Sequence, residues 1–249
     1  MSSMLSGIQV SQELQQNADV DYAGGRKLYS TGAYLSKLKM CYFTVAPSGA
    51  KAFNIVFEDP DGEEGTLQTY FTNKEGSITY VNKKTGKPAL MPGWQLLTGL
   101  TRVLFNKDPN DAALPTKDVN VKLYNSEAQK EVLTKVSALD FTPNTEVTLV
   151  ITKERKNKQA KNEATGKWEN TAEEQESNSL TKVCDYKGRT STEIAANEES
   201  ATWLTTIWLP KNDGKVKDTY KTVTSAVQTK SAAAPDSTDA MFTATTEDI

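Results

Sequence analysis

The residues with the clearest chemical potential are aromatic and basic side chains interleaved over one stretch. Tyr34, Tyr42, Phe43, Phe53, Phe57, Tyr70, Phe71 and Tyr80 alternate there with Lys37, Lys39, Lys51, Lys74, Lys83, Lys84 and Lys87. Single-stranded nucleic acid is held by this pair of features: bases stack on exposed rings while cations track the phosphates. A second constellation is the run Glu58-Asp59-Pro60-Asp61-Gly62-Glu63-Glu64. It could attract a divalent cation, but it lacks the ligand spacing of an EF-hand loop, and a polar hairpin turn accounts for it more simply. Metal-dependent hydrolysis on Asp59, Asp61, Glu63 and Glu64 would need a further carboxylate partner, and none stands out.

Other chemistries are excluded by absence. The 249 residues contain no His and two Cys, Cys41 and Cys184. Without His there is no Ser-His-Asp or Cys-His catalysis, and two Cys cannot build a thiolate zinc site. No phosphate-binding Gly-rich loop is present; Thr85-Gly86-Lys87-Pro88 lacks both the first Gly and the hydroxyl after Lys. We expect no cofactor and no metal.

Net charge is −3, which on average argues against nucleic acid, but charge is unevenly placed. Lys153, Arg155, Lys156, Lys158, Lys161 and Lys167 face only Glu154 and Glu163 in their stretch, whereas the last nineteen residues carry Asp236, Asp239, Glu247 and Asp248 and no cation. The N-terminus has neither a basic nor an apolar leader region, and apolar runs are strand-sized. The expectation is a cytosolic chain without a membrane span.

These side chains must be held by β-structure. Residues 33–45 alternate in their first half, which places Leu38 and Met40 on one face and Lys37 and Lys39 on the other. Residues 52–58 and 66–72 follow as strands across the turns Pro47-Ser48-Gly49 and Asp59-Pro60-Asp61-Gly62, with a short strand at 78–81. Leu96, Leu97, Leu100, Val103 and Leu104 predict a helix over 94–105. A strand at 119–124 precedes a predicted helix over 126–139, based on Val132, Leu133, Val136 and Leu139. Strands at 146–153 and 180–186 form a hairpin whose connection, 154–177, reads as a long, exposed, partly basic loop. Thr192 is a helix N-cap candidate, and 200–209 is a short helix or buried segment. The division is an N-terminal arm (1–23), a folded domain (24–218) and a disordered acidic tail (219–249).

Several segments, taken in order, resemble the single-stranded DNA-binding proteins of tailed bacteriophages: G-A-Y-L-S (32–36), Y-F-T-N-K-E-G (70–76), K-P-A-L-M-P-G-W (87–94), V-T-L-V-I-T-K-E (147–154), T-K-V-C-D-Y-K-G-R-T-S-T-E-I (181–194) and T-W-L-T-T-I-W (202–208). The resemblance implies a mainly β chain: an OB-fold barrel with helical and hairpin insertions, a basic and aromatic DNA groove, and an acidic C-terminal tail that recruits replication and recombination proteins and competes with DNA. The strand and helix order read above is compatible with that barrel.

Carried onto this chain, DNA contact falls on Tyr70, Phe71, Asn73 and Lys74, then on Lys153 and Arg155, then on Lys182, Lys187 and Arg189. The interleaved strand adds Tyr34, Lys37 and Lys39, and the charged loop adds Trp168. Partner binding falls on Asp236, Asp239, Phe242, Glu247, Asp248 and Ile249. The expected role is non-catalytic, sequence-independent coating of single-stranded DNA in phage replication, recombination and repair, in the cytoplasm of the infected host, with homo-oligomers allowed. The alternatives are a phage tail or capsid protein, a carboxylate-metal nuclease, and a strand-annealing mediator.

Overall fold

A computed structural model describes residues 27–125, 128–162, 166 and 168–223. The chain is mainly β and is organised by one long strand, β1 (Gly32–Val45). Its first half pairs with β8 (Thr145–Lys161), from Gly32 opposite Ile151 to Leu38 opposite Thr145. Its second half pairs on the other edge with β2 (Lys51–Glu58), which pairs onward with β3 (Glu64–Tyr70). β8 pairs with β9 (Trp168–Asp185), and the short β10 (Val216–Asp218) runs parallel to β8. All the other ladders are antiparallel, as short turns between sequential strands require.

Two hairpins stand off this sheet. β4 (Thr79–Val81) and β5 (Pro88–Leu90) form a small separate flap. β6 (Thr116–Asn125) and β7 (Lys130–Leu139) form a longer arm, tied to β1 where Ala138 pairs with Tyr42. The terminal strands β3 and β9 approach one another, and helix α1 (Pro92–Phe105) packs against both. Among the described residues no ladder joins β3 to β9, so the expected closed barrel is not formed.

The core lies between one face of the sheet and α1. Leu38, Cys41, Phe53, Ile55, Phe57, Val147, Leu149 and Ile151 are fully buried there with Leu100 of the helix. A second, smaller cluster lies on the opposite face. Val150 and Cys184 are covered by Leu204 and Trp208 from a π-helical segment, Trp203–Trp208, which runs on into α3 (Leu209–Asn212).

Three expectations are corrected. Residues 130–139 are strand β7 and not the end of a helix. Val132, Leu133, Val136 and Leu139 satisfy a helical stripe, but Val132, Thr134 and Val136 also alternate, and β6 supplies matching partners in Leu123, Val121 and Val119. Segment 154–177 is not a loop: β8 and β9 continue through it as a two-stranded ribbon. It carries no apolar period because it has no core to face. Helix α2 (Ser191–Ala195) is capped by Thr190, whose side chain accepts from the Glu193 N–H, and Thr192 lies inside it. The arm 1–23 lies outside the described residues, as does the predicted tail from 224 on. No helix among the described residues is long and apolar enough to cross a membrane.

α1 starts against the end of β3, and Gly93 allows it. A Cβ at Gly93 would lie 1.7 Å from the Tyr70 carbonyl oxygen, whereas one at Gly99 would meet nothing within 4 Å. Gly93→Ala is therefore expected to cost more than about 3 kcal/mol through forced overpacking. Gly99→Ala should instead stabilise by about 0.5–1 kcal/mol through helix propensity. Urea unfolding of the two variants checks the contrast; equal effects would refute the close approach.

Candidate nucleic-acid interface

The faces of β1 are set by a bulge. Leu38 pairs with Phe57 and Met40 with Val56, which leaves Lys39 as the extra residue. Leu38 and Cys41 thus both point into the core, and Met40 moves to the outer face, against the simple alternation. After the bulge, register puts three rows on the outer face of β1–β2–β3: Met40–Val56–Thr66, Tyr42–Asn54–Gln68 and Thr44–Ala52–Tyr70. The middle row is linked by hydrogen bonds. Gln68 Nε2 donates to Asn54 Oδ1 and Asn54 Nδ2 donates to Thr44 Oγ1, each at 3.0 Å. Two tyrosines, Tyr42 and Tyr70, flank these amides.

The same parity sends other predicted contacts inward. Phe71 packs among Phe43, Phe53 and Trp94, with ring centroids 6.0 to 6.5 Å apart. Tyr34 meets Tyr29 edge-on at 5.3 Å and donates its hydroxyl to the Ser30 carbonyl. Both rings pack against the core, so neither offers the open stacking face expected of it. Asn73 shapes a turn: its side-chain oxygen accepts from the backbone N–H groups of Glu75 and Ser77.

The β6–β7 arm leans over the outer face and leaves a cleft of about 440 Å³, lined by Lys39, Met40, Tyr42, Val56, Glu64, Asn120, Val121 and Lys122. Val121 turns toward it from the apolar side of the arm and is buried.

Cations divide into paired and unpaired. Lys37 and Lys39 share Glu58, at 3.1 and 2.6 Å, and the hydrogen bonds from Lys39 and then Lys37 hold that carboxyl below its ordinary range. Lys51, Lys83, Lys84, Lys87 and Lys122 have no carboxylate partner among the described residues, and Lys74 meets only its exposed neighbour Glu75, at 3.8 Å. The Lys51 carbonyl accepts from the Phe71 N–H, which brings the Lys51 and Lys74 segments side by side. Lys83, Lys84 and Lys87 lie in the β4–β5 turn, where Asn82 Oδ1 accepts from the Lys84 N–H.

The ribbon is different. Lys153 pairs with Glu176 at 2.9 Å, Lys158 with Glu173 at 2.9 Å, and Arg155 with Asp218 at 3.0 Å and Glu174 at 3.6 Å. β9 carries the acids that neutralise β8. Half of the basic stretch seen in sequence is thus matched by neighbouring strands: Lys153, Arg155 and Lys158 are each held in cross-strand ion pairs. Trp168 sits half-buried at the far end of the ribbon, opposite Lys161.

Lys182, Lys187 and Arg189 gather near the C-terminal segment. Lys182 lies over the Trp203 ring at 5.6 Å and Lys187 over Tyr186 at 5.5 Å. Arg189 is structural: it pairs with Asp185 at 2.7 Å and donates to the Glu198 carbonyl. Glu193 ties the region together. Its carboxylate is buried, accepts from the Thr190 N–H and hydroxyl, and accepts from the Trp203 N–H at 2.6 Å. Burial would raise its pKa, but the hydrogen bonds from Thr190 and Trp203 outweigh burial and hold it below the ordinary value.

The carboxylates that a nuclease would use converge on an ammonium. Lys27 Nζ reaches Asp59 at 2.6 Å, Glu63 at 2.8 Å and Asp61 at 3.0 Å, and Tyr29 donates to Asp59. Among the described residues no group of three or more His, Cys, Asp or Glu is arranged to hold a metal ion. Both cysteines are free and buried, and burial pushes the Cys184 thiol up to about 12.

Compared with known protein families, curated proteins and solved structures, the chain gives no match. The interface thus rests on its own geometry. Of the residues read from sequence as DNA contacts, Tyr70, Lys39 and Lys74 lie on or beside this face; Tyr42, Asn54, Gln68 and Lys122, which also line it, were not among them. Strand parity would have found Tyr42 once the bulge at Lys39 was known.

Because the Glu193 pKa is depressed in the folded state, its stabilisation is present above the unfolded value and is lost as pH falls through the folded one. Glu193→Gln is expected to cost about 1.5–3 kcal/mol at neutral pH. The gap to the unmodified protein should close in strong acid. Denaturant titrations at neutral and strongly acidic pH check this; a gap independent of pH would contradict a buried, ionised Glu193.

Proposed function

We propose that this chain is a non-catalytic protein that coats single-stranded DNA without reading its sequence, in phage replication, recombination and repair. The observation that carries the reading is the outer face of β1–β2–β3, where Tyr42 and Tyr70 flank a row of amides beside unpaired lysines. Rings of this kind stack any base, and the cations release counterions from the phosphates. The strand order β9–β8–β1–β2–β3, with a helix between the third strand and the later pair, is the connectivity of an OB-fold, and this supports reading the sheet as an open version of that barrel. OB-folds bind oligonucleotides on this strand face.

The strand is placed on Tyr42, Tyr70 and Gln68, above the buried Asn54 whose amide fixes their row, with Lys51, Lys74 and the flap lysines Lys83, Lys84 and Lys87 along the phosphates and Lys39, which shares Glu58 with Lys37, at its edge. Lys182 and Lys187 extend the basic surface toward Trp203. Lys153, Arg155 and Arg189 are left to structural pairing. The resemblance to phage single-stranded DNA-binding proteins places the work in the cytoplasm of an infected bacterium. It gives Asp236, Asp239, Phe242, Glu247, Asp248 and Ile249 to partner proteins of replication; these residues lie outside the described part of the chain.

A gel shift with oligo-dT and with duplex of equal length, at two salt concentrations, tests the reading. Oligo-dT should bind, duplex should not, and affinity should fall as salt rises. Tyr42→Ala and Tyr70→Ala should each cost about 1–3 kcal/mol of binding, roughly 5- to 150-fold. Lys153→Ala should leave affinity within about two-fold, because its charge is already matched. Binding that ignores both tyrosines and depends on Lys153 would overturn the placement, and equal affinity for duplex would overturn the function.

A further inference from the structure

We infer that the β6–β7 arm is a second jaw of the strand site: one nucleotide of a bound single strand enters the cleft beneath the arm, its base between Tyr42 and Val121 and its phosphate at Lys122. The inference rests on the single-strand reading of the outer face and goes beyond it. That reading needs only an open sheet surface, whereas the arm makes part of that surface a slot.

Four observations carry it. The cleft is open to solvent and holds about 440 Å³, within the range of about 300–1,000 Å³ typical of small-molecule sites and so large enough for a nucleotide. Its two walls are unlike a polar surface groove. The floor offers Tyr42 and Val56 from the sheet, and the roof offers Val121, which is buried although it sits on a hairpin with little packing of its own. Charge at the rim is asymmetric. Lys122 has no carboxylate partner among the described residues, Lys39 across from it is held by Glu58 at 2.6 Å, and Glu64 is the one acid that lines the cleft. Finally, the slot is continuous with the proposed track, since Tyr42 belongs both to the Tyr42–Asn54–Gln68 row and to the cleft.

The arm can act as a jaw because it is fixed at one end only. Ladder pairing ties it to the sheet at Tyr42 opposite Ala138, and beyond that point β6 and β7 pair solely with each other. A two-stranded hairpin is marginal by itself. Val121, buried on the side of the arm that lines the cleft, is its apolar contribution to the roof, and a base slid beneath it adds apolar contact. Bound DNA then has to leave from under a roof, so the arm lengthens its residence.

The test uses the full chain with oligo-dT and with an oligonucleotide bearing 5-iododeoxyuridine for photocrosslinking. Adducts are expected at Tyr42. Lys122→Ala, an exposed change, should weaken oligo-dT binding about three- to ten-fold and lower the magnitude of the salt slope by about 0.7, the value for one phosphate on a single strand. Lys122→Glu should weaken it further and speed dissociation, with an unchanged melting temperature to show that the fold is intact. If oligo-dT binds but adducts avoid Tyr42, and Lys122 variants keep the affinity, salt slope and dissociation rate, the jaw is refuted while the coating reading stands. If oligo-dT does not bind the unmodified protein, both fall together.

Discussion

The structure depends on one strand serving two edges and two faces. β1 pairs with β8 along its first half and with β2 along its second, so everything else in the sheet is placed relative to it. Halfway along, the extra residue Lys39 reverses the alternation of side chains. Without that reversal Cys41 and Phe43 would point to solvent, and Met40, Tyr42 and Thr44 would enter the core. A bulge costs one unpaired residue and sharpens the local bend. Here it lets one strand fill the core with Leu38, Cys41 and Phe43 and still present Tyr42 outward. The core and the proposed binding face are therefore two outcomes of one irregularity.

Charge pairing is the second organising force, and it acts where there is no core. The β8–β9 ribbon extends past the sheet with few apolar residues. Each exposed ion pair along it contributes little, about 0–1 kcal/mol, but several repeated across one ladder fix its register and cancel its field. Arg155 adds a stack on Tyr220 at 5.6 Å and a pair to Asp218, so the C-terminal strand is sewn to the ribbon. Lysines without a carboxylate partner among the described residues lie elsewhere, at Lys51, the β4–β5 flap and Lys122, with Lys182 and Lys187 near the C-terminal segment.

The hairpin 116–139 shows why a single sequence leaves secondary structure open. Val132, Leu133, Val136 and Leu139 fit a helix stripe, and Val132, Thr134 and Val136 fit a strand. β-branched residues tilt the balance only slightly, and the pairing partner 116–125 decides it. The same holds for 154–177: read alone it has no period, and folded back on itself it pairs from Glu154 opposite Ser177 to Lys161 opposite Trp168, with one register shift after Asn157. Thr190 rather than Thr192 caps α2 for a similar reason, since the Glu193 carboxylate closes a capping box only with Thr190.

Composition and pattern were enough to determine a mainly β chain, the central meander, helix α1 and the absence of histidine chemistry, because those follow from residue type and local period. They also placed Lys39 and Tyr70 on strands that the structure contains, while Lys74 lies in the turn after the second of these. Only tertiary structure decided which rings face out and which cations are free. Facing depends on a bulge that shifts parity by one residue, and freedom depends on acids distant in sequence, as Glu176 is from Lys153 and Asp218 from Arg155. Neither quantity is local, so no window along the chain contains it.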